Sequence, residues 1–177
     1  MRLCIDPGHG LANREPGVYD PGAVGSGLEE AVVVLVWAEE LRRAVEARGI
    51  PVWMTRRDQI SATPLAGRAS GAVAHNCTHL ISIHINDLTK GVDEWPNGTE
   101  TYYRDDKQFA LEAQHCLLTG LGLKDRGIKF SNNLSVLKFP GSAALLELGF
   151  IDNAKDVRAF TNDILIKHTC RMLAQIF

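Results

Sequence analysis

Apolar positions along this chain follow two rhythms, short unbroken runs and longer helical stripes. The runs at Arg2–Asp6, Leu80–His84 and Ala143–Glu147 predict strands, the second apolar enough to be buried. Pro51–Thr55 and Leu134–Leu137 predict two more, and Gly98–Tyr103 alternates as a strand does on a half-solvated face. Helical spacing governs Leu28–Arg48, where Gly49 ahead of Ile50-Pro51 supplies the stop. Thr63-Pro64 predicts a helix start, with Thr63 as cap and Pro64 at the first helical position, running to about Ala74. A third helix is expected over Asp106–Leu121, closed near Gly120 and Gly122. A helical turn at Ala154–Phe160 and a last helix over Asp163–Ile176 follow. The stretch from Pro7 to Gly27, rich in Gly and Pro, predicts an ordered loop and no regular element, and Ile85–Asn97 predicts a second loop.

Strands that alternate with helices predict an α/β fold with a mainly parallel sheet, in a single domain over residues 1–177. Open α/β sheets collect ligands beyond the carboxyl ends of their strands. His84 ends one predicted strand, Glu147 ends another, and His9 lies just past the first.

Composition narrows the partners. Of 177 residues, 45% are hydrophobic and 23% charged, as in an ordinary globular domain. A formal charge of −2, with no basic run longer than Arg56-Arg57, argues against broad attraction to nucleic acid and suits a solvated surface for that pair. The N-terminus has no apolar stretch long enough for a signal peptide, and Ala31–Ala38 is too short to span a bilayer, which takes about 20 residues. The expectation is a monomer without membrane insertion, made in the cytoplasm, or else a domain cut from a longer secreted chain. Cys4, Cys77, Cys116 and Cys170 are scattered, with no C-x-x-C pair, which excludes a Cys-based zinc ribbon and a thioredoxin-like motif. They are expected to be free, mostly buried thiols.

Six histidines offer chemistry. His115 and His168 fall in helices, and His75 and His79 flank a connection, so all four suit bland, mostly exposed roles. His9 sits between two glycines in DPGHG, a setting that allows close backbone approach and fits a metal ligand better than a turn-filling ring. His84, at the end of an apolar strand, is either a neutral ligand or a satisfied core histidine. Glu29 and Glu30 both suit a helix N-terminus. Helical spacing puts Glu30 in line with Val34, Trp37, Leu41 and Val45, an inward stripe, and Glu29 in line with Val33, Val36, Glu40 and Arg43, which turns outward. A buried carboxylate needs a partner, so Glu30 is the better ligand. Glu147 follows Ala143–Leu146. It is either a general base or acid with a raised pKa, or the partner of an arginine such as Arg126. Two His and one Glu would leave the fourth tetrahedral position of Zn²⁺ open for water, although no H-E-x-x-H motif is present.

At these residues the sequence resembles the type 3 zinc-dependent N-acetylmuramoyl-L-alanine amidases. The matching segments are DPGHG (6–10), DPGAVGSGLEE (20–30), SIHIN (82–86), GTETYY (98–103), DRGIK (125–129) and LLELGFIDN (145–153), in the family's order. The resemblance implies one zinc per chain, held by His9, Glu30 and His84, with Glu147 catalytic. It also implies a twisted, mostly parallel mixed sheet with helices on both faces. The activity implied is cleavage between the muramic acid lactyl group and L-alanine in peptidoglycan. Two departures stand out. Asn13–Val18 is longer than in many relatives, and Thr89–Pro96 carries a tryptophan of unassigned role. With no wall-binding repeat after the domain, the chain resembles a phage lysin released to the wall by a holin-type, membrane-permeabilising partner. A domain of a bacterial autolysin or sporulation amidase is the rival. A zinc peptidase or deacetylase on the same fold, and a non-catalytic peptidoglycan-binding module, are the competing functions. Nucleotide binding is weaker still, since neither G-x-G-x-x-G nor G-x-x-x-x-G-K-[ST] occurs.

Overall fold

The computed structural model describes residues 1–87 and 96–177, so the Thr89–Pro96 segment falls, Pro96 apart, outside the described residues. Among the described residues six strands form the central sheet: β1 (Leu3–Pro7), β2 (Val52–Met54), β3 (His79–Asn86), β4 (Thr99–Tyr103), β5 (Asp125–Phe130) and β6 (Ser142–Phe150). Their spatial order is β2-β1-β3-β6-β4-β5, and every neighbouring pair is parallel except β6 with β4. The mixed, mostly parallel sheet is thus the expected one. Among the described residues five helices cover it: α1 (Glu30–Glu46), α2 (Leu65–Ala74), α3 (Lys107–Leu121), α4 (Ala154–Phe160) and α5 (Asp163–Leu173).

Both faces are covered, and the alternation of side chains along each strand explains how. Leu3, Ile5, Ile81, Ile83, Ala144 and Leu146 point into one core with Trp37, Leu117 and Phe160. Cys4, Leu80, Ala143 and Leu145 point the other way, onto Ala72 of α2 and onto Val136 and Phe139. The α1 stripe of Glu30, Val34, Trp37, Leu41 and Val45 is buried throughout, and Trp37 Nε1 donates to the Phe160 carbonyl at 2.8 Å. All four cysteines are free, three of them buried and Cys77 half-buried.

Several expectations need correction. Leu134–Leu137 is no strand; Ser135–Lys138 is a 3-10 turn, because so short an apolar run carries no periodicity to choose between the two. The edge strand β5 escaped notice because Asp125–Phe130 is mostly polar and lacks an apolar run. Pro7–Gly27 holds one miniature ladder, Gly10–Leu11 with Tyr19–Asp20, and gives Val24–Gly25 to a second with Leu28–Glu29, so α1 begins at Glu30. Pro64, not Thr63, caps α2, and the Thr63 hydroxyl donates back to the Ser61 carbonyl. His79 opens β3, half-buried edge-on against Phe109 and Phe177. Residues 99–101 of β4 are buried, not half-solvated. Glu147 does not end its strand: β6 continues to Phe150, with a register shift against β3 after Glu147.

Candidate metal centre

Just past β1, near the carboxyl end of β3 (which runs two residues beyond His84, to Asn86) and at the start of α1, three segments far apart in sequence bring His9, Glu30 and His84 together, with their donor atoms all within 4.8 Å of one another. His9 Nε2 lies 3.1 Å from Glu30 Oε2, and His84 Nδ1 lies 2.9 Å from Glu30 Oε1. Glu30 has further anchors, since Oε2 accepts from Ala23 N–H and Oε1 from Ile85 N–H. Two glycines make the approach possible. A Cβ on Gly8 would sit 2.3 Å from His84 Cε1, and one on Gly22 would sit 2.5 Å from Glu30 Oε2. His9 itself holds φ at 60°, a conformation non-glycine residues adopt only when their surroundings impose it.

Two buried guanidiniums impose it. Arg68 donates to the carbonyls of Pro7 (2.9 Å) and His9 (2.7 Å) and pairs with the Asp6 carboxylate at 2.6 Å. Arg56 donates to the Gly8 carbonyl at 2.6 Å and to the Ala31 carbonyl, next to Glu30, at 2.8 Å. Asp6 in turn accepts from Thr55 and from Ser82 on β3. Burial pushes the Asp6 pKa up, but Arg68, Thr55 and Ser82 outweigh it and hold the carboxyl below its ordinary range. Arg56 is therefore not the solvated surface residue expected from the sequence; it is 2% exposed, and only Arg57 faces solvent. No local pattern marks these arginines, because their partners are backbone carbonyls distant in sequence.

Asp20 is the other residue that sequence reasoning missed, although it lies in the quoted DPGAVGSGLEE segment. Its Oδ2 accepts from Asn13 Nδ2 and lies 3.1 Å from His9 Nδ1, and its Oδ1 accepts from Gly22 N–H. Burial works against its charged form, yet Asn13, Gly22 and His9 lower its pKa to about 2. Burial likewise disfavours charge on His9, but Glu30 and Asp20 more than compensate and raise its pKa. For Glu30, His84 and His9 overcome burial and lower the pKa far below the carboxylate range. Both ring nitrogens of His9 thus face carboxylates, and a cation at Nε2 would take over the contact with Glu30.

Glu147 lies beside His84 on the neighbouring strand, with Glu100 of β4 on its other side. Its Oε2 is buried without a hydrogen-bond partner among the described residues. Burial raises its pKa well above normal, and the charges of Glu30 and Glu100 raise it further. The arginine partner considered for it, Arg126, instead pairs with Glu100 at 2.7 Å, where Lys129 and Tyr102 also donate. The donor set fits a divalent cation: two imidazoles and a carboxylate, partly buried, match a three-ligand zinc site with one position open. Glu147 borders the same hollows as His9 and His84, and a carboxylate there is the kind of group that proton transfer at such a site uses.

Among the described residues, clefts of about 480 Å³ and about 390 Å³ open onto this cluster. A larger hollow of about 590 Å³ along α1 and α5 contains none of them and is edged by surface ion pairs.

Comparison with known proteins bears on what this centre does. The sequence model of the family described as N-acetylmuramoyl-L-alanine amidase matches residues 3–174. Two Bacillus subtilis proteins are each 33% identical. YqiI, itself uncharacterized, aligns over 160 residues, 87% of this chain and 72% of its own length. The N-acetylmuramoyl-L-alanine amidase LytC aligns over 161 residues, again 87% of this chain but only 30% of LytC. Among solved structures, the catalytic domain of the N-acetylmuramoyl-L-alanine amidase CwlV from Bacillus (Paenibacillus) polymyxa superposes with a TM-score of 0.84 at 29% identity. That match covers 98% of this chain and 93% of the CwlV domain.

Proposed function

The chain belongs to the N-acetylmuramoyl-L-alanine amidase family of type 3, and on that premise we propose that it hydrolyses the amide between the lactyl group of N-acetylmuramic acid and L-alanine in peptidoglycan, using zinc. The observation that carries the reading is the convergence of His9, Glu30 and His84 beside a buried, unpartnered carboxylate oxygen of Glu147. In this reading residues 1–177 form one catalytic unit that acts at the cell wall. No helix among the described residues is long and apolar enough to cross a membrane.

His9, Glu30 and His84 would hold the ion, and Asp20 would keep the His9 ring turned so that Nε2 faces it. Zinc bound there supplies a Lewis acid that polarises the scissile carbonyl and lowers the pKa of water to about 7. Glu147 supplies the base. Burial and the charge of Glu30 both hold its pKa up, and Glu147 would lose the second of these causes once Glu30 shares its charge with a cation. It then accepts a proton as the water oxygen bonds to the carbonyl carbon. As the C–N bond breaks, it passes that proton to the departing alanine nitrogen. The products are a lactyl carboxylate and a free L-alanine amine.

Digestion of purified peptidoglycan, with and without chelator and added zinc, tests this. The expected result is new L-alanine amino termini that vanish on chelation and return with zinc. New reducing sugar ends alone, amines from residues other than that alanine, or activity that survives exhaustive chelation would reject the reading. Single alanine changes at His9, Glu30 and His84 should each lose most of the metal by elemental analysis.

A further inference from the structure

The two clefts that meet at the candidate metal centre share four residues, His9, His84, Glu147 and Arg14, and differ in everything else. A substrate whose scissile bond lies over the shared residues would place one arm in each cleft. The smaller cleft is walled by the carboxylates of Asp20 and Asp87, with Asn86 between them and Glu30 behind, an acceptor-rich wall that repels anions. A hydroxyl-rich sugar suits that wall. The larger cleft has an apolar floor of Leu65, Leu134, Val136 and Leu145, laid by α2, by the 3-10 turn and by β6. Its inner charges, Asp6 and Arg68, cancel each other in a buried pair.

Arg14 stands at the mouth of this apolar cleft. Its side chain is 75% exposed, and among the described residues its one ion pair runs from Nε to Asp20 Oδ2 at 3.3 Å. An exposed pair of this kind is worth little, and it leaves both Nη groups of the guanidinium to face a ligand. Beyond Arg14 a third hollow of about 600 Å³, edged by Ala12, Pro16 and Pro64, prolongs the groove away from the metal centre. Arg14 lines all three spaces.

From this placement we propose that the apolar cleft takes the stem peptide and that Arg14 binds the free α-carboxylate of the residue after L-alanine. The inference rests on the amidase reading above and deepens it. The alanine methyl lies on the Leu145–Val136 floor, the glycan lies against the acceptor wall, and the rest of the peptide continues past Pro64. Arg14 borders both clefts, so the Asp20–Asp87 wall sets the direction: a peptide carboxylate is repelled from that wall and meets the planar guanidinium from the apolar side, where Asp6 and Arg68 cancel.

Two soluble muramoyl tripeptides test this, with γ-D-glutamate or γ-D-isoglutamine after L-alanine, so that the α-carboxyl is free in one and amidated in the other. The wild-type protein should prefer the free acid by about tenfold in kcat/KM, carried by KM, as one charge-assisted contact implies. Arg14→Gln should bring the ratio between the two substrates close to one, and Arg14→Lys should restore part of it. The melting temperature should not move, because the side chain is exposed. A wild-type protein that cuts both tripeptides equally well, or an Arg14→Gln variant that keeps the preference, would overturn the inference while leaving the amidase reading intact. Cleavage of neither tripeptide by the wild type, with no amine released from peptidoglycan either, would remove that reading and this inference with it.

Discussion

His9 Nδ1 lies 3.1 Å from Asp20 Oδ2, so the ring nitrogen left to face Glu30 is Nε2. Asp20 is itself fixed by Asn13 and by the Gly22 backbone, which makes the ring's orientation a property of the loop as a whole. A carboxylate behind a ligating histidine sets its tautomer and its basicity.

Asp20→Asn should therefore weaken zinc binding by about 10- to 100-fold with little change in fold. A competition titration against a chromophoric chelator measures it. An affinity equal to wild type would mean that the His9–Asp20 contact does not orient a ligand.

Glu147→Gln should separate chemistry from binding. The lost charge is one that burial and the charges of Glu30 and Glu100 already oppose, and Oε2 has no hydrogen bond to lose. Zinc content and stability, within about 1 kcal/mol, should stay those of the wild type. Turnover should fall by about 10²–10⁴-fold, the usual worth of general-base transfer. Near-native lysis would place the base elsewhere, and loss of zinc would make Glu147 a ligand.

Arg68→Met should unfold the protein at markedly lower denaturant. Both members of the Asp6–Arg68 pair are buried, and removing one leaves the other charge unpaired, at a cost of about 3–5 kcal/mol. The carbonyls of Pro7 and His9 lose donors at the same time. Equilibrium urea unfolding reads this out, and a loss under about 1 kcal/mol would show that neighbouring groups or water take over the role of Arg68.

Glu100 gives the acid side of the stability profile a definite sign. Burial would raise its pKa, but Lys129, Arg126 and Tyr102 outweigh burial and lower it below 4.5. Lys129 and Arg126 face it from β5, Tyr102 from its own strand, Asn86 from β3 and Glu147 from β6. A folded pKa below the unfolded one contributes stability that is fully present above the unfolded value and lost as pH falls through the folded one. Unfolding free energy should thus decline below pH 4.5, and Glu100→Gln should flatten that decline. Parallel acid profiles for the two proteins would show that Glu100 is not a source of the slope.

Much of this was legible along the chain. Helical spacing alone separated Glu30 from Glu29: Glu30 is buried with its stripe, while Glu29 is exposed and accepts from the Tyr19 hydroxyl. Glycines on both sides of His9 announced a close approach, and Gly8 indeed lies against the His84 ring. The apolar runs of β1, β3 and β6 marked the parallel centre of the sheet, because a strand buried on both faces must be apolar along its length. Such signals survive in one dimension because they depend on residues a few positions apart.

Only the tertiary structure could decide the rest. Arg56 and Arg68 look like ordinary surface residues until the chain folds and sets their guanidiniums on the carbonyls of residues 7 to 9. Arg126 could have partnered Glu147, but β4 lies between β5 and β6 and gives it Glu100 instead. Residue spacing fixes which face of an element a side chain occupies, whereas a buried charge takes its partner from whatever the sheet order brings within about 3 Å. That order is set by contacts among strands far apart in sequence, so the company kept by Arg68, Glu100 and Glu147 exists only in the folded molecule.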